Sequence, residues 1–300
     1  MGKMETMFRE VLKSNVTPVT YEIWSPKGCV INQHIKDIKD FKDRIDAVNV
    51  PDNPLSTLKV SSIAYAKIVM DELKVDAIPH LNCRDRNLLA LQSDILGAHI
   101  LGLRNLFIIG GDKPSGILKP KEVWETTSIE LCRIVKGLNK GFAYNDESIK
   151  IEGKTDFLVG GTIIFDRKNE VETVSKKIEA GFDFFQSQIT FNPNLVLNFF
   201  EKAEKQGVNL DKPVLIGLAP QPSEKALKKV LSFLHVEVSE NLLKRLRQSG
   251  DFQGELISVL LEAADEIKSA LSPKYKIGFH IMTLGCDYLG KKIIEGLRRK

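Results

Sequence analysis

Short apolar runs rich in β-branched residues alternate along this chain with longer stretches in which apolar residues recur every three or four positions. The short runs have the length and composition of strands, and the longer ones have the period of amphipathic helices. We therefore predict eight strands, over residues 16–24, 47–50, 75–81, 105–109, 157–164, 182–189, 214–218 and 275–282.

A helical pattern follows each predicted strand. Leu88, Leu91 and Ile95, for example, recur at the spacing of one helix face. Gly102 and Gly181 stand where such a helix would end before the next strand begins. The predicted helices cover residues 33–44, 60–73, 86–101, 128–138, 170–180, 193–205 and 289–298, with several more within 224–271.

Eight strand–helix units in 300 residues predict an α/β fold of the (β/α)8 TIM-barrel type. We expect a single domain over residues 1–300, with a helical insertion at about 224–271 between strands seven and eight. An open doubly wound sheet is the alternative. Against it, no strand leads into G-x-G-x-x-G, and Gly110-Gly111 is followed by Asp112-Lys113-Pro114, in which proline is a poor start for a phosphate-binding loop.

Charge and cysteine content narrow the location and the partners. The chain has 43 Lys and Arg against 39 Asp and Glu, and a formal charge of +4 is too small to indicate nucleic-acid or membrane binding. The N-terminus lacks the apolar core of a signal peptide, and the longest uncharged run, 184–200, contains too many polar residues for a membrane span. The four cysteines are isolated, with no C-x-x-C pair. We expect a cytoplasmic protein without a metal site.

Polar residues follow the predicted strands at their carboxyl ends, where barrel enzymes place their chemistry. Each has a structural alternative: Glu22 would otherwise form an internal ion pair, Asp112 would cap a turn or helix, and the histidines would be satisfied core groups. Their convergence on one rim favours a functional site. The set comprises Glu22, Asp52, Asn53, His80, Asn82, Arg84, Asp112, Gln186, Gln188, Gln221, His280 and Thr283.

This set of residues indicates a class of chemistry. It has no cluster of histidines and carboxylates at metal-ligand spacing, and no Ser–His or Cys–His pair that would indicate a nucleophile. One acid among amide and imidazole donors suits proton donation to a nitrogen-rich heterocycle. It equally suits a planar cofactor held between strand ends.

The stretch from Pro79 to Ser115 reads PHLNCRDRNLLALQSDILGAHILGLRNLFIIGGDKPS. It resembles the methylenetetrahydrofolate reductase family, in which a histidine on the third strand precedes a helix with a charged start, then L-G-x-R-N and a strand ending in Gly-Asp-x-Pro. The similarity extends to residues 19–22, 177–188, 217–220 and 278–280. It therefore spans nearly the whole chain, in the order of the predicted barrel.

The resemblance implies reduction of 5,10-methylenetetrahydrofolate, or a related C1-pterin, to the 5-methyl form through bound FAD, with NADH or NADPH as a possible electron donor. Glu22 matches the general acid that protonates N10 of the substrate, and Asp112 matches a carboxylate close to flavin and pterin. Gln188, with Gln186 beside it, matches the amide that binds the pterin. The positions that correspond to cofactor contacts are His80, Asn82, Gly111, Asp112, Gly160 and Lys177, the last facing the phosphates.

The chain departs from the family mainly at the cofactor positions. Gly110 stands where relatives commonly carry an arginine that meets the FAD phosphates. The fifth strand ends Gly160-Gly161-Thr162, without the usual tyrosine and histidine. Because the acid and amide positions match better than these, FMN, or direct hydride transfer from a nicotinamide without flavin, stays open beside FAD.

Two other roles suit a pterin-binding barrel. One is methyl transfer to a corrinoid or a thiol, although the lack of a zinc–thiolate cluster counts against a thiol. The other is a subunit that takes electrons from a partner protein docked on the insertion around 237–271, for which the alternative is a solvated helix pair that closes the barrel. A homo-oligomer is also open.

Overall fold

The computed structural model describes residues 7–114 and 120–298. Its strands are parallel and pair in chain order, and the first pairs with the eighth, so that the sheet closes into a barrel. The (β/α)8 TIM-barrel prediction is therefore confirmed. The strands are β1 (Val19–Glu22), β2 (Ala47–Val50), β3 (Asp76–Asn82), β4 (Asn105–Ile109), β5 (Leu158–Ile163), β6 (Phe184–Ile189), β7 (Val214–Leu218) and β8 (Ile277–Ile281).

Helices surround this barrel and supply the outer half of the apolar core. Within residues 7–114 and 120–298 none of them is long and apolar enough to cross a membrane. They are α1 (Met7–Lys13), α2 (Asn32–Lys39), α3 (Ser62–Leu73), α4 (Leu88–Ile100), α5 (Ser128–Lys140), α6 (Glu170–Ala180), α7 (Pro193–Lys205), α8 (Glu224–Leu234), α9 (Glu240–Gln248), α10 (Phe252–Leu271) and α11 (Asp287–Arg298), with 3-10 turns at Lys42–Arg44 and Pro54–Ser56.

Three helices, α8, α9 and α10, lie between β7 and β8. The longest, α10, packs against α7 and α11, so it fills the place of the outer-ring helix between these strands. Ion pairs attach the other two: Arg245 of α9 binds Glu262 of α10 at 2.8 Å, and Arg247 binds Glu224 of α8 at 2.8 Å. The predicted helical stretch 224–271 thus contains one barrel helix and two additional ones.

Strand boundaries differ from prediction where pairing stops. The first strand was expected over 16–24, but β1 begins at Val19, which pairs with Phe279 of β8, and ends at Glu22, which pairs with Asn49 of β2. Val16 is 49% exposed outside the barrel. The apolar run in the sequence therefore extends beyond the residues that pair with neighbouring strands.

Helix α1 closes the amino-terminal end of the barrel and was not predicted from sequence. Its Phe8 is fully buried and packs edge-on against Phe184, with ring centroids 5.3 Å apart. The Phe8 amide donates to the carboxylate of Asp76 at 2.8 Å, and Arg9 pairs with Asp156 at 2.9 Å. Seven residues are too few for an independent helix, so the barrel contacts stabilise it.

The lower interior of the barrel is a compact apolar layer. It consists of Phe8, Ala47, Ile78, Phe107, Phe184 and Leu215. Gly160 of β5 faces the same interior, and a Cβ at this position would lie 2.3 Å from Cζ of Phe184 and 2.7 Å from Cδ2 of Phe107. The lack of a side chain at Gly160 therefore lets two large rings fill the barrel.

Replacement of Gly160 by alanine should lower the free energy of unfolding by about 1–3 kcal/mol, because overpacking forces core rings off their preferred rotamers. Gly97→Ala is the matched control: Gly97 lies within α4, and a Cβ there meets nothing within 4 Å. It should stabilise the protein by about 0.5–1 kcal/mol. Urea unfolding measures both variants. A midpoint for Gly160→Ala equal to that of the wild type would show that the rings repack without strain.

Candidate active site

A cavity of about 160 Å³ opens above the apolar layer, at the carboxyl ends of the strands. It brings together five residues that the sequence predicted for the rim, namely Glu22, His80, Gln186, Gln188 and His280. The complete lining is Glu22, His80, Phe107, Ile109, Thr162, Ile164, Gln186, Ser187, Gln188, His280 and Met282.

A larger depression, of about 420 Å³, lies at the opposite end of the barrel between Asp43, Arg44, Glu295 and Arg298. These charged groups face one another: Arg44 is 3.9 Å from Glu295, and Arg298 donates to the backbone of Thr17 before β1. No acid, amide and imidazole converge there as they do in the smaller cavity. The candidate active site is therefore the cavity at the carboxyl ends of the strands.

Glu22, the last residue of β1, presents its carboxylate to the cavity with a side chain only 11% exposed. The indole N–H of Trp24 donates to Oε1 at 2.9 Å. On the other side, Nε2 of His280 lies 3.8 Å from Oε2. One hydrogen bond from Trp24 and the nearby ring of His280 thus orient the acid.

These two groups control the protonation of Glu22. Burial is the largest single influence and raises the pKa of this carboxyl, but His280 and the Trp24 N–H act in the opposite direction and outweigh it. The resulting pKa lies below the ordinary value for a glutamate. Glu22 is consequently a carboxylate near neutral pH in the free protein.

His80 of β3 is a buried, neutral imidazole. Burial, reinforced by His280, lowers its pKa to about 4 despite the nearby Glu22 carboxylate. The amide of Asn49 lies 2.9 Å from Nε2 of His80. Because the ring is neutral, we assign Asn49 as the donor and place the remaining imidazole proton on Nδ1.

Asn49 and Gln186 form a reciprocal amide pair across the barrel. Nδ2 of Asn49 donates to Oε1 of Gln186 at 2.9 Å, and Nε2 of Gln186 donates back to Oδ1 of Asn49 at 3.1 Å. Gln186 also donates to the hydroxyl of Thr20, which lies 2.8 Å from Nδ1 of His280. A continuous layer of buried hydrogen bonds therefore joins β2, β6, β1 and β8 beneath the cavity.

Gln188 stands where the β6–β7 register shifts between Gln186 and Ile189. Its Oε1 accepts from the amide of Ile189 at 3.0 Å. Ser187 supports the same bend, because its hydroxyl donates to the Gln188 carbonyl and accepts from the Gly217 amide. With its oxygen held in this way, Gln188 turns its NH₂ group to the cavity as a donor.

Asp112 lies on the rim and does not line the cavity. Its side chain is exposed, and its carbonyl accepts from Arg84 at 2.9 Å. The preceding Gly111 has φ of +102° and would bring a Cβ within 3.1 Å of Arg84. The loop after β4 is thus held close over the end of β3, and Asp112 remains a candidate only by position.

Arg84 links three loops at this rim and is fully engaged. Its guanidinium is 2% exposed and binds the Asp85 carboxylate through Nε at 2.6 Å, besides the carbonyls of Asp112 and Asn53. Asn82, predicted as a cofactor contact, belongs to the same network: its side-chain amide donates to Asp52 at 2.7 Å and to Asp85 at 3.0 Å. These hydrogen bonds hold the loops of the rim together.

Lys177 of α6 is directed into the protein. It is 4% exposed, and its ammonium donates to the Thr162 carbonyl at 2.5 Å and to the Thr162 hydroxyl at 3.3 Å. Burial lowers its pKa to about 8, and the charge of Glu170 opposes the shift. Lys177 thus supports the cavity-lining Thr162 from behind, whereas Gly160 packs against the rings below.

Comparison with known proteins assigns the family. A family model described as methylenetetrahydrofolate reductase matches residues 7–298. The chain belongs to the methylenetetrahydrofolate reductase family. The resemblance carried by the motifs around His80 and Asp112 is therefore confirmed.

Individual members of this family are distant from the chain. Methylenetetrahydrofolate reductase 2 of Schizosaccharomyces pombe is 24% identical over 243 residues, which is 77% of this chain and 37% of that protein. Methylenetetrahydrofolate reductase 2 of Saccharomyces cerevisiae is 23% identical over 266 residues, 83% of this chain and 40% of that protein. A probable methylenetetrahydrofolate reductase (NADPH) of Caenorhabditis elegans is 22% identical over 195 residues, which is 65% of this chain and 28% of that protein. The chain spans less than half the length of these curated relatives.

Solved structures share the fold at lower identity. An uncharacterized protein from Clostridium thermocellum that binds two copies of 5-methyl-5,6,7,8-tetrahydrofolic acid has a TM-score of 0.69 at 17% identity, over 98% of both chains. A 2,3-dimethylmalate lyase has a TM-score of 0.53 at 10% identity, over 100% of this chain and 89% of the other. These likenesses show the barrel alone.

Membership of the reductase family implies FAD, but the described residues at the expected positions do not fit it. Lys177, expected at the phosphates, is bonded to Thr162, and Arg84 is bonded to Asp85 and to two loops. Gly110 offers no side chain in place of the usual arginine. The proposed mechanism therefore does not use FAD.

Several site residues of this reductase-family barrel were not identified from sequence. Asn49 and Thr20 carry the buried hydrogen bonds, and Phe107, Thr162 and Met282 line the cavity. A usable signal was present in β1, β2 and β6, because a polar residue within a short buried strand requires a partner. Strand alternation also places Thr20 on the same face as Glu22.

His80 should make the folded protein sensitive to acid. Its pKa is about 4 when folded against 6.5 ordinarily, so the unfolded chain takes up a proton first as the pH falls. The stabilisation is present in full above pH 6.5 and is lost between 6.5 and 4. It amounts to roughly 3 kcal/mol. Urea unfolding at several pH values should show this slope flattened in His80→Gln.

The exposed His235, at the end of α8, provides the matched control. His235→Gln should retain the wild-type dependence of unfolding free energy on pH. If His80→Gln and His235→Gln gave parallel curves, the buried neutral imidazole would not be the source of the acid sensitivity.

Proposed function

We propose that this chain reduces a 5,10-methylene tetrahydropterin, 5,10-methylenetetrahydrofolate or a related C1-pterin, to its 5-methyl form. The observation that supports this most directly is the position of Glu22, a nearly buried acid held by the Trp24 N–H and flanked by His280 at the wall of a small cavity. Family membership supports the same reaction class. The 5-methyltetrahydrofolate bound by the protein from Clostridium thermocellum is the product of this type of reduction.

In the proposed mechanism Glu22, a carboxylate in the free protein, takes up a proton from solvent and in this protonated form is the general acid. Transfer of its proton to N10 of the substrate accompanies cleavage of the bond between N10 and the methylene carbon, and the bonding electrons remain on N10. The methylene group is left as an iminium on N5. A hydride with its two electrons then converts this carbon to a methyl group.

The amides of β6 divide between scaffold and substrate in this proposal. Gln186 is already bonded to Asn49 and Thr20, so it maintains the wall of the cavity. Gln188 has its oxygen bonded to the backbone and its NH₂ group available, which suits the acceptor atoms of a pterin ring. Asp112, held on the rim through its carbonyl by Arg84, stays the candidate for an electrostatic contact at the cavity entrance.

We propose NADH or NADPH as the source of the hydride, used directly or through a partner protein that carries electrons. This follows from the poor fit of the described residues to FAD, and one relative bears NADPH in its name. A cytoplasmic location and a homo-oligomeric state stay predictions. Methyl transfer is a weaker candidate, because the family model that matches the chain is that of a reductase.

Glu22→Gln should lower the rate of pterin reduction at least 100-fold, because general acid catalysis typically contributes about 10²–10⁴. The amide keeps the shape of the side chain, so the Kd for the 5-methyl pterin should change only a few-fold. Single-turnover kinetics and calorimetric binding measure the two effects. Glu237→Gln, on an exposed segment of the insertion, is the matched control. An unchanged rate in Glu22→Gln would remove this residue from the acid role.

The purified protein should carry far less than one FAD per chain. The reason is structural: the cations expected at the FAD phosphates are bonded within the protein. Absorbance of the native protein and of the heat-released supernatant would quantify flavin. A stoichiometric flavin that NADH or NADPH bleaches would contradict this prediction and restore the flavin-dependent mechanism.

A further inference from the structure

His280 is held on both sides of its ring. On one side, Nδ1 lies 2.8 Å from the Thr20 hydroxyl, and on the other, Nε2 lies 3.8 Å from the Glu22 carboxylate. Thr20 and His280 are register partners in the β1–β8 pairing, and both are almost completely buried. The imidazole therefore has a fixed place between the hydrogen-bond layer and the acid.

The hydrogen-bond layer allows the proton of the His280 ring to be assigned to one nitrogen. The reciprocal pair with Asn49 fixes the Gln186 amide, so its NH₂ group, and not its oxygen, meets the Thr20 hydroxyl at 3.2 Å. Since the Thr20 oxygen accepts there, its own proton is available for Nδ1 of His280. A neutral imidazole that accepts at Nδ1 carries its proton on Nε2, the atom that faces Glu22.

We propose that His280 is a positioning residue for Glu22: its Nε2–H holds the carboxylate that remains when Glu22 gives its proton to N10 of the substrate. This inference rests on the proposed function. In the step, the O–H bond of Glu22 breaks, the N10–H bond forms, and the electron pair stays on the carboxylate. His280 gives up no proton in this step, and only the strength of its interaction with Glu22 changes.

The chemistry of N10 explains the value of such a partner. This nitrogen bears an aryl ring and is weakly basic, so it requires a stronger acid than an isolated buried glutamic acid. At 3.8 Å the contact is longer than a direct hydrogen bond, which suits a donor whose interaction strengthens as negative charge develops. Trp24 contributes a second donor, but its 2.9 Å bond to Oε1 is already formed in the free protein.

The other groups around Glu22 leave His280 as the adjustable influence. From β3, His80 faces the acid as a neutral ring, and from β6 the cavity presents only the amides Gln186 and Gln188. Lys59 lies beyond Trp24, with Nζ 4.9 Å from the centroid of the indole ring. Among the groups that lower the pKa of Glu22, His280 has the largest effect, ahead of His80 and Trp24, so its loss should raise that pKa.

The test is an infrared titration of Glu22 in the full-length protein without substrate. The C=O stretch of a protonated carboxyl is assigned to Glu22 by its loss in Glu22→Gln, and its midpoint is followed against pH. His280→Leu should move the midpoint upward by about one pH unit or more, a tenfold change in protonated fraction. His280→Gln keeps an N–H and should recover most of the wild-type midpoint.

A second pair of variants changes the partner of His280 and leaves the imidazole itself intact. Thr20→Val removes the hydroxyl at nearly constant shape and should also raise the midpoint, whereas Thr20→Ser should retain it. The descending limb of the pH–rate profile for pterin reduction should shift in the same direction. A role limited to folding would lower stability or rate without moving either value.

The outcomes separate this inference from the proposed function. Midpoints that stay within about 0.3 pH unit of wild type in His280→Leu and in Thr20→Val would overturn the positioning role even if pterin is reduced. Raised midpoints in a protein that reduces no pterin would refute the proposed function and leave the Glu22–His280 coupling established. If His280→Leu does not fold, the Thr20 pair decides the question.

Discussion

The reciprocal amide pair between Asn49 and Gln186 is the interaction on which the site depends. A closed parallel barrel turns one face of every strand inward, and polar groups on that face have no water with which to exchange hydrogen bonds. Asn49 and Gln186 satisfy each other and then bond to His80 and Thr20. Because every amide atom in the pair has a defined partner, the rings and hydroxyls next to it have defined orientations.

This layer divides the barrel interior into two regions with different physical tasks. Below it, Phe8, Phe107 and Phe184 fill the volume, and Gly160 makes room for two of these rings. Above it, Glu22 and Gln188 meet a cavity and retain hydrogen-bonding capacity that the protein does not use internally. Stability therefore comes from the lower region, and the upper region can keep groups oriented for a ligand.

The sequence predicted the barrel and the convergence of Glu22, His80, Gln186 and Gln188, because parallel strands must bring their carboxyl ends to one rim. It did not predict α1, whose seven residues become helical only against the barrel floor. The inward direction of Lys177 was not predictable either, since a lysine on a helix can turn to solvent or to a buried carbonyl. The direction of such a side chain is decided by tertiary contacts, and the spacing of residues in the sequence does not contain these.

The chain has the acid position that resembles the reductase family, but among the residues that the structure describes it lacks free cations where that family holds FAD. The proposed delivery of a proton to a pterin requires an oriented acid, and Glu22 has the Trp24 N–H at 2.9 Å and the His280 ring at 3.8 Å, with Thr20 bonded to that ring. Holding the phosphates of FAD requires cations that are free at the rim, but Arg84 is bonded to the loops after β2, β3 and β4. A guanidinium with its donors bonded in this way cannot also bind phosphates without releasing those loops. Under the proposed function, groups of the barrel itself therefore deliver the proton, and the hydride comes from a separate donor.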